Sequence, residues 1–185
     1  MAFEAIAGKL GASVYMLCAC IAFVFVCVGT PTAQFRGRGY LHGADVSKLS
    51  CVSLWGMKND CTKDTYDLRP GDFVCPDSAS RLKQVFQAGE AFAIISIFVT
   101  LASIIAVGYH FFRSSSVVPT MILAVAGVVT ILIPWACMAA VYNGKMCGSA
   151  FRTNWQKQWK YSAAFGLYVA GWCSQVLGTV CLMAL

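Results

Sequence analysis

The stretch CVSLWGMKNDC, residues 51–61, distinguishes this chain from a plain bundle of apolar helices. Two cysteines, Cys51 and Cys61, bracket a short apolar run from Val52 to Trp55, and Gly56 follows that run. A short apolar and aromatic run that ends in turn-forming residues is typical of a strand or hairpin. The segment therefore predicts a small, cysteine-bounded hairpin between the first two hydrophobic spans of the chain.

Four uncharged apolar runs make up most of the remaining sequence. Only 12% of the 185 residues are charged, whereas a soluble domain has about 25%. Each run approaches or exceeds the roughly 18 residues that cross a bilayer core, and none contains a charged residue. The sequence therefore predicts four transmembrane helices over residues 12–29, 91–112, 117–142 and 162–185. The first run is longer than the apolar core of a signal peptide, about 7 to 15 residues, so we expect it to be retained.

The connections between the spans are unequal in length. Residues 30–90 and 143–161 form two loops on one side of the membrane, while residues 113–116 form a tight turn on the side of both termini. The turn signals RGRGY, HGAD, KNDC and RPGD separate short runs rich in β-formers, namely Lys48–Trp55 and Asp72–Cys75. These loops therefore predict a small antiparallel sheet of three to five strands that packs on the helix ends.

Two signals disagree about which side of the membrane carries these loops. Most lysines and arginines lie in the loops, and the positive-inside rule would place them in the cytosol. The four cysteines outside the spans, Cys51, Cys61, Cys75 and Cys147, also lie there and indicate disulfides in an oxidising compartment. Four reduced thiols, or a zinc site that includes His42, are the alternatives. We follow the cysteines and expect the loops to be extracellular.

The net charge is +6 and falls mostly on this loop side, because the two loops carry twelve of the fourteen lysines and arginines. Such a face attracts anionic lipid headgroups or acidic glycans. The alternative is a solvated rim of charges that positions the helices at the headgroups.

Residues 51–61 resemble the signature of the amastins, small four-span surface proteins of trypanosomatid parasites. Every constrained position is met, and the constrained residues are Cys51, Val52, Ser53, Leu54, Trp55, Gly56, Lys58, Asp60 and Cys61. The resemblance implies a claudin-like four-helix bundle with an extracellular β-sheet lid, cytoplasmic N- and C-termini, and a location in the plasma membrane at a host–parasite interface. The chain has no Asn-X-Ser/Thr sequence, so N-glycosylation is not expected.

Within this framework the cysteines are expected to pair as Cys51–Cys61 and Cys75–Cys147, although four cysteines allow three pairings. Closing a loop of about ten residues in this way stabilises the fold by roughly 2 to 4 kcal/mol. Leu54 and Trp55 are expected on opposite faces of a strand, so that one rests on the helix ends and the other meets solvent or a partner.

Two further patterns concern the helices. Small residues recur at every fourth position in the last span, which predicts close helix packing within the bundle or between subunits; they are Gly166, Ala170, Ser174 and Gly178. Trp155 and Trp159 share one helical face before that span, with Lys157 and Lys160 elsewhere. This pattern predicts interface anchors, with recognition of lipid headgroups as the alternative.

The sequence contains no nucleophile elbow, phosphate loop or metal-ligand cluster, so we expect a non-enzymatic protein without a cofactor other than bound lipid. The first hypothesis is a surface protein that acts through its disulfide-linked extracellular sheet and forms a homo-oligomer. Its partners would be membrane lipids and proteins or glycans on an opposing surface, and nothing indicates nucleic acid. The alternative is a lipid-binding membrane protein, and a channel or transporter would need a polar path that the spans lack.

Overall fold

The computed structural model describes residues 2–38, 50–62, 65–72, 79–113, 116–144 and 155–184, and the side chains of all of these except residues 2–8, 79 and 80. Four helices are long and apolar enough to cross a membrane. They are α1 (Ala2–Gly29), α2 (Ala79–Arg113), α3 (Val118–Asn143) and α4 (Ala163–Ala184). The predicted four-span helical bundle is confirmed.

Helix α2 is longer than the apolar run that predicted it. Its 35 residues begin at Ala79, twelve residues before the expected span, and extend over about 52 Å at ~1.5 Å per residue. A hydrocarbon core is about 30 Å thick, so the polar first turns, which include Gln87 and Glu90, extend beyond it. The end of the expected β-rich loop is therefore helical, and it provides a rigid wall above the membrane.

The helices form a closed ring in which α1 packs most extensively on α4 and α2 on α3, with α3–α4 and α1–α2 contacts completing it. One core cluster lies toward the end that carries the loops, and a second lies toward the opposite end. A buried amide joins three helices, because Gln175 Nε2 donates to the Tyr15 hydroxyl at 3.1 Å and to the Ala124 carbonyl at 3.4 Å.

A four-stranded antiparallel sheet covers one end of the bundle. Its strands are β1 (Phe35–Gly37), β2 (Cys51–Ser53), β3 (Gly56–Lys58) and β4 (Trp159–Tyr161), in the order β3-β2-β1-β4. The predicted small antiparallel sheet is confirmed, and both loops contribute to it. Of the second expected strand, Asp72 lies in a 3-10 turn over Pro70–Asp72, and residues 73–75 are outside the described residues.

The sheet is held on the helix ends by an aromatic cluster. Phe35 is fully buried, and its ring centroid lies 5.8 Å from that of Tyr142, 6.0 Å from that of Trp155 and 5.5 Å from that of Tyr161. Strands of three residues are marginal alone and need such a surface to pack on. This packing fixes the sheet's inner face. On the other face Arg36 and Lys160 are exposed, whereas Cys51 and Ser53 are buried.

Candidate functional site

The signature segment forms a tight β-hairpin at the sheet end. Strands β2 and β3 pair with Ser53 opposite Gly56, so only Leu54 and Trp55 connect them. The Ser53 hydroxyl accepts from the Trp55 amide at 3.1 Å and donates to the Gly56 carbonyl at 3.4 Å. Gly56 has a φ of +140°, which side-chain-bearing residues rarely adopt. The Ser and Gly positions of the signature thus both build the turn.

Leu54 and Trp55 lie in the turn rather than on opposite faces of a strand, so the expected strand geometry is wrong. The expectation that one of them meets solvent or a partner stays a prediction. Leu54 is fully buried and contacts α2 at Gly89, where an added Cβ would lie 3.2 Å from Leu54 Cδ2. Trp55 is half-buried, and its Nε1 donates to the Thr30 carbonyl at 3.2 Å. Leu54 therefore rests on α2, while Trp55 bonds to Thr30 just after α1 and also lines an open cleft.

The two cysteines that bound the signature are neighbours in space. Cys51 lies buried in β2, and its thiol is hydrogen-bonded to that of Cys61. Burial and then this neighbouring thiol raise the pKa of Cys51 to about 12. The proximity is compatible with the expected Cys51–Cys61 disulfide, which stays a prediction. Cys75 and Cys147 lie outside the described residues.

The polar end of the signature closes a second turn. The Lys58 ammonium lies 4.6 Å from the centroid of the Tyr66 ring, a cation–π contact. The Asp60 carboxylate accepts from the amide and the hydroxyl of Thr62, at 3.0 and 2.7 Å. These positions organise the loop that follows the hairpin.

Basic side chains form a row across the outward face of the sheet. Register places Lys58 opposite Cys51, Cys51 opposite Arg36, and Arg36 opposite Lys160, so these four side chains share one face. At about 4.8 Å between strands, the row spans roughly 14 Å. Arg36 and Lys160 are exposed, and Arg38 lies near them with its Nε donating to the Trp159 carbonyl at 3.2 Å. We define the cationic face as the four basic residues Arg36, Arg38, Lys58 and Lys160, without Cys51.

An open cleft of about 620 Å³ lies beside the hairpin, between the 66–72 segment and the start of α2. Its walls combine aromatic rings with charged and amide groups, which belong to Trp55, Tyr66, Arg69, Asp72, Gln87 and Glu90. The 3-10 turn that carries Asp72 packs against α2, so the two walls are in contact. Tyr66, Arg69 and Asp72 were not singled out from the sequence. In the sequence, this cleft was indicated only by the RPGD turn signal and by the polar residues Gln87 and Glu90 near the start of the second apolar span.

The two tryptophans expected as interface anchors are buried instead, so that interpretation is wrong for them. Trp155 is 7% exposed and Trp159 is 5% exposed, and their ring centroids lie 5.4 Å apart. Residues 155–158 form one helical turn, and Trp159 then enters β4, which pairs with β1. The Trp155 ring packs against Phe35 of β1, with centroids 6.0 Å apart. Lys157 and Lys160 are exposed.

The stripe of small residues in α4 is divided between two surfaces. Ser174 Oγ donates to the Cys18 carbonyl at 3.0 Å, and an added Cβ at Gly178 would lie 2.8 Å from Cys18 Cβ. Gly166 and Ala170 are exposed. Each step of four residues advances about 40° around a helix of 3.6 residues per turn, so the stripe turns away from α1. Among the described residues of this single chain, the second half of the stripe is therefore the part that packs on α1.

Comparison with known families agrees with the four-span bundle and the cysteine-bounded hairpin. The sequence model of the family described as amastin surface glycoprotein matches residues 20–182. The chain belongs to the amastin family. A search of curated proteins found no match. Membership and the four apolar helices together make the chain a multi-pass membrane protein of a surface family.

Proposed function

We propose that this amastin is a non-enzymatic plasma-membrane protein that contacts other surfaces through its sheet end, with the sheet outside the cell and both termini in the cytosol. The contact between Cys51 and Cys61 supports this orientation, because adjacent cysteines in a compact lid suit an oxidising compartment. The family's description as surface glycoproteins supports the location.

The cationic face is the observation that carries the proposal. Like charges placed directly opposite each other in a sheet destabilise it, and here Arg36 and Lys160 are direct cross-strand partners. An anionic polymer bound across the row would relieve this repulsion and gain ion pairs with exposed groups. The partner that we propose is therefore an acidic glycan on an opposing surface.

Self-association would raise the strength of such a contact. Ion pairs between exposed groups contribute little individually, about 0.2 to 1 kcal/mol each. Several copies held side by side present several cationic faces to one polymer, and each further contact then forms at a high effective concentration. A homo-oligomer is therefore part of the proposal.

Heparin provides a defined sulfated probe for this contact. The double variant Arg36→Ser/Lys160→Ser should bind heparin about 2- to 30-fold more weakly, because it loses two exposed ion pairs. The matched control Arg81→Ser/Lys83→Ser removes the same charge from two exposed positions on α2 and should leave the affinity unchanged. Equal losses in both variants, or no binding by the native chain at low salt, would contradict the proposal.

Native mass spectrometry in a mild detergent tests the self-association. The proposal predicts a defined oligomer that survives gentle extraction. A strictly monomeric species, together with an absence of crosslinks in native membranes, would contradict it.

A second candidate function, lipid binding, is favoured by a groove of about 330 Å³ on the surface of the bundle. It is lined by Ser13, Met16, Leu17, Cys20 and Phe111, which lie in the apolar parts of α1 and α2. A groove of this composition suits an acyl chain. The variant Leu17→Trp should reduce lipid retained in native mass spectra, whereas Leu177→Trp, at an exposed position on α4, should not. Retention that is the same in both variants would count against this function.

A further inference from the structure

The cleft beside the signature hairpin is large enough for a small ligand. Its volume of about 620 Å³ falls within the range of about 300 to 1,000 Å³ that is usual for such sites. It contains two aromatic rings, two carboxylates, an amide and a guanidinium, which together offer both donors and acceptors of hydrogen bonds.

Several of these groups are held in place before any ligand arrives. The indole of Trp55 is fixed by its bond to the Thr30 carbonyl, and the ring of Tyr66 by the Lys58 ammonium at 4.6 Å. The Arg69 amide donates to Asp72 Oδ2 at 3.3 Å, while the Asp72 amide donates back to the Arg69 carbonyl at 2.9 Å. Rigid groups lose little conformational entropy when a ligand binds, so this preorganisation favours ligand binding in the cleft.

The lining of the cleft carries charged groups of both signs, the carboxylates of Asp72 and Glu90 and the guanidinium of Arg69. The carboxylates can accept hydrogen bonds from hydroxyl groups, and the guanidinium and the Gln87 amide can donate to them. These polar groups match a neutral ligand with many hydroxyl groups.

Aromatic rings complete the match to a sugar. The faces of aromatic rings are negative and apolar, so they pack against the weakly positive C–H groups on one side of a pyranose ring. Gln87 and Glu90 lie three residues apart on α2 and therefore share one face of that helix, within reach of the same ligand.

We infer that this cleft binds a neutral saccharide, with Trp55 and Tyr66 as packing surfaces and Gln87, Glu90, Asp72 and Arg69 as hydrogen-bonding groups. The lining of this cleft shares no residue with the cationic face, although Lys58 of that face contacts the Tyr66 ring. The cationic face itself suits anionic polymers. Its ligand is a different class of molecule, and the inference extends beyond the proposed function.

The test is saturation-transfer NMR on the chain in nanodiscs of phosphatidylethanolamine and phosphatidylglycerol, which contain neither sugar nor choline. The probes are the disaccharides lactose, maltose, cellobiose and mannobiose. Phosphocholine is the probe for the alternative ligand class, a lipid headgroup. At least one disaccharide should bind. Gln87→Ala should weaken its binding by roughly 2- to 12-fold, the equivalent of one neutral hydrogen bond.

The matched control is Gln84→Ala, the same change at an exposed position three residues earlier on α2 and outside the cleft lining. It should leave the affinity unchanged. Both substitutions place alanine in an exposed helical position, so neither should impair folding. Binding of phosphocholine but of no disaccharide, binding of none of the probes, or equal effects of the two variants would overturn the inference. Heparin binding through Arg36 and Lys160 is measured separately, so the two proposals can fail independently.

Discussion

Replacing Gly56 by alanine should disrupt the signature hairpin. At φ +140° an L side chain is strained, and the added Cβ would overlap the carbonyl oxygen of Leu68. That oxygen accepts the Met57 amide at 2.8 Å in a bridge beside β3. Because the obstacle is backbone rather than a flexible side chain, the bridge must move if alanine is to fit.

The expected cost follows from these two effects. A residue held in a sparsely populated backbone region costs about 1 to 3 kcal/mol. Loss of the hydrogen bond between Met57 and Leu68 adds about 0.5 to 1.5 kcal/mol. The free energy needed to open the hairpin should therefore fall by about 1.5 to 4.5 kcal/mol. This corresponds to roughly 10- to 2,000-fold faster amide exchange.

Hydrogen–deuterium exchange of the peptide covering residues 50–62, in the same nanodiscs, measures this opening. Gly71→Ala is the matched control, because no heavy atom of the described residues lies within 4 Å of its added Cβ. That variant should stay within about 0.5 kcal/mol of the native chain. If Gly56→Ala and Gly71→Ala exchange at the same rate, the account of why the signature requires glycine is refuted.

Three further predictions concern the turn, the bundle and the cysteines. Trp55→Phe keeps the ring but loses the bond to Thr30, so hairpin exchange should accelerate by roughly 2- to 12-fold, and an unchanged rate would contradict the observed bond. Gly178→Val should overpack the contact with α1 and lower the Tm by about 2 to 12 °C. The control Gly166→Val has open space around its Cβ among the described residues and should leave the Tm unchanged. Equal Tm values for the two variants would contradict the packing of Gly178 on α1. Burial raises the pKa of Cys51 from 9.0 to about 12, so the reduced folded chain keeps a proton that the unfolded chain releases above pH 9. Between pH 9 and pH 12 the reduced chain should therefore lose up to about 1.4 kcal/mol of unfolding free energy per pH unit, relative to the oxidised protein. Unfolding of both forms at several pH values measures this difference. A difference that does not change with pH would contradict the burial of Cys51.

The four spans could be predicted because long uncharged runs have only one stable solution in a bilayer, the helix. The start of α2 was missed because the expected span was limited to its uncharged run, whereas Arg81, Lys83 and Gln87 precede that run and are good helix formers. The structure continues the helix over these residues, and the 3-10 turn packs against it.

The hairpin's position could be read from the sequence, but its geometry could not. Alternation predicted strand faces for Leu54 and Trp55, whereas a two-residue turn requires the backbone that Gly56 permits, and φ is not visible in a sequence. Strand β4 was missed for a related reason. Trp155 and Trp159 have helical spacing, and only the pairing of β4 with β1, distant in sequence, places Trp159 in a strand.

The central claim is that the sheet end of the bundle faces the outside of the cell. Labelling of intact cells with a membrane-impermeant amine reagent, followed by mass spectrometry of the peptides, tests it directly. Lys157 and Lys160 are exposed at the sheet end, while Lys9 is exposed near the opposite end. The account predicts that Lys157 and Lys160 are labelled on intact cells and Lys9 only after permeabilisation; labelling of Lys9 alone on intact cells would contradict it.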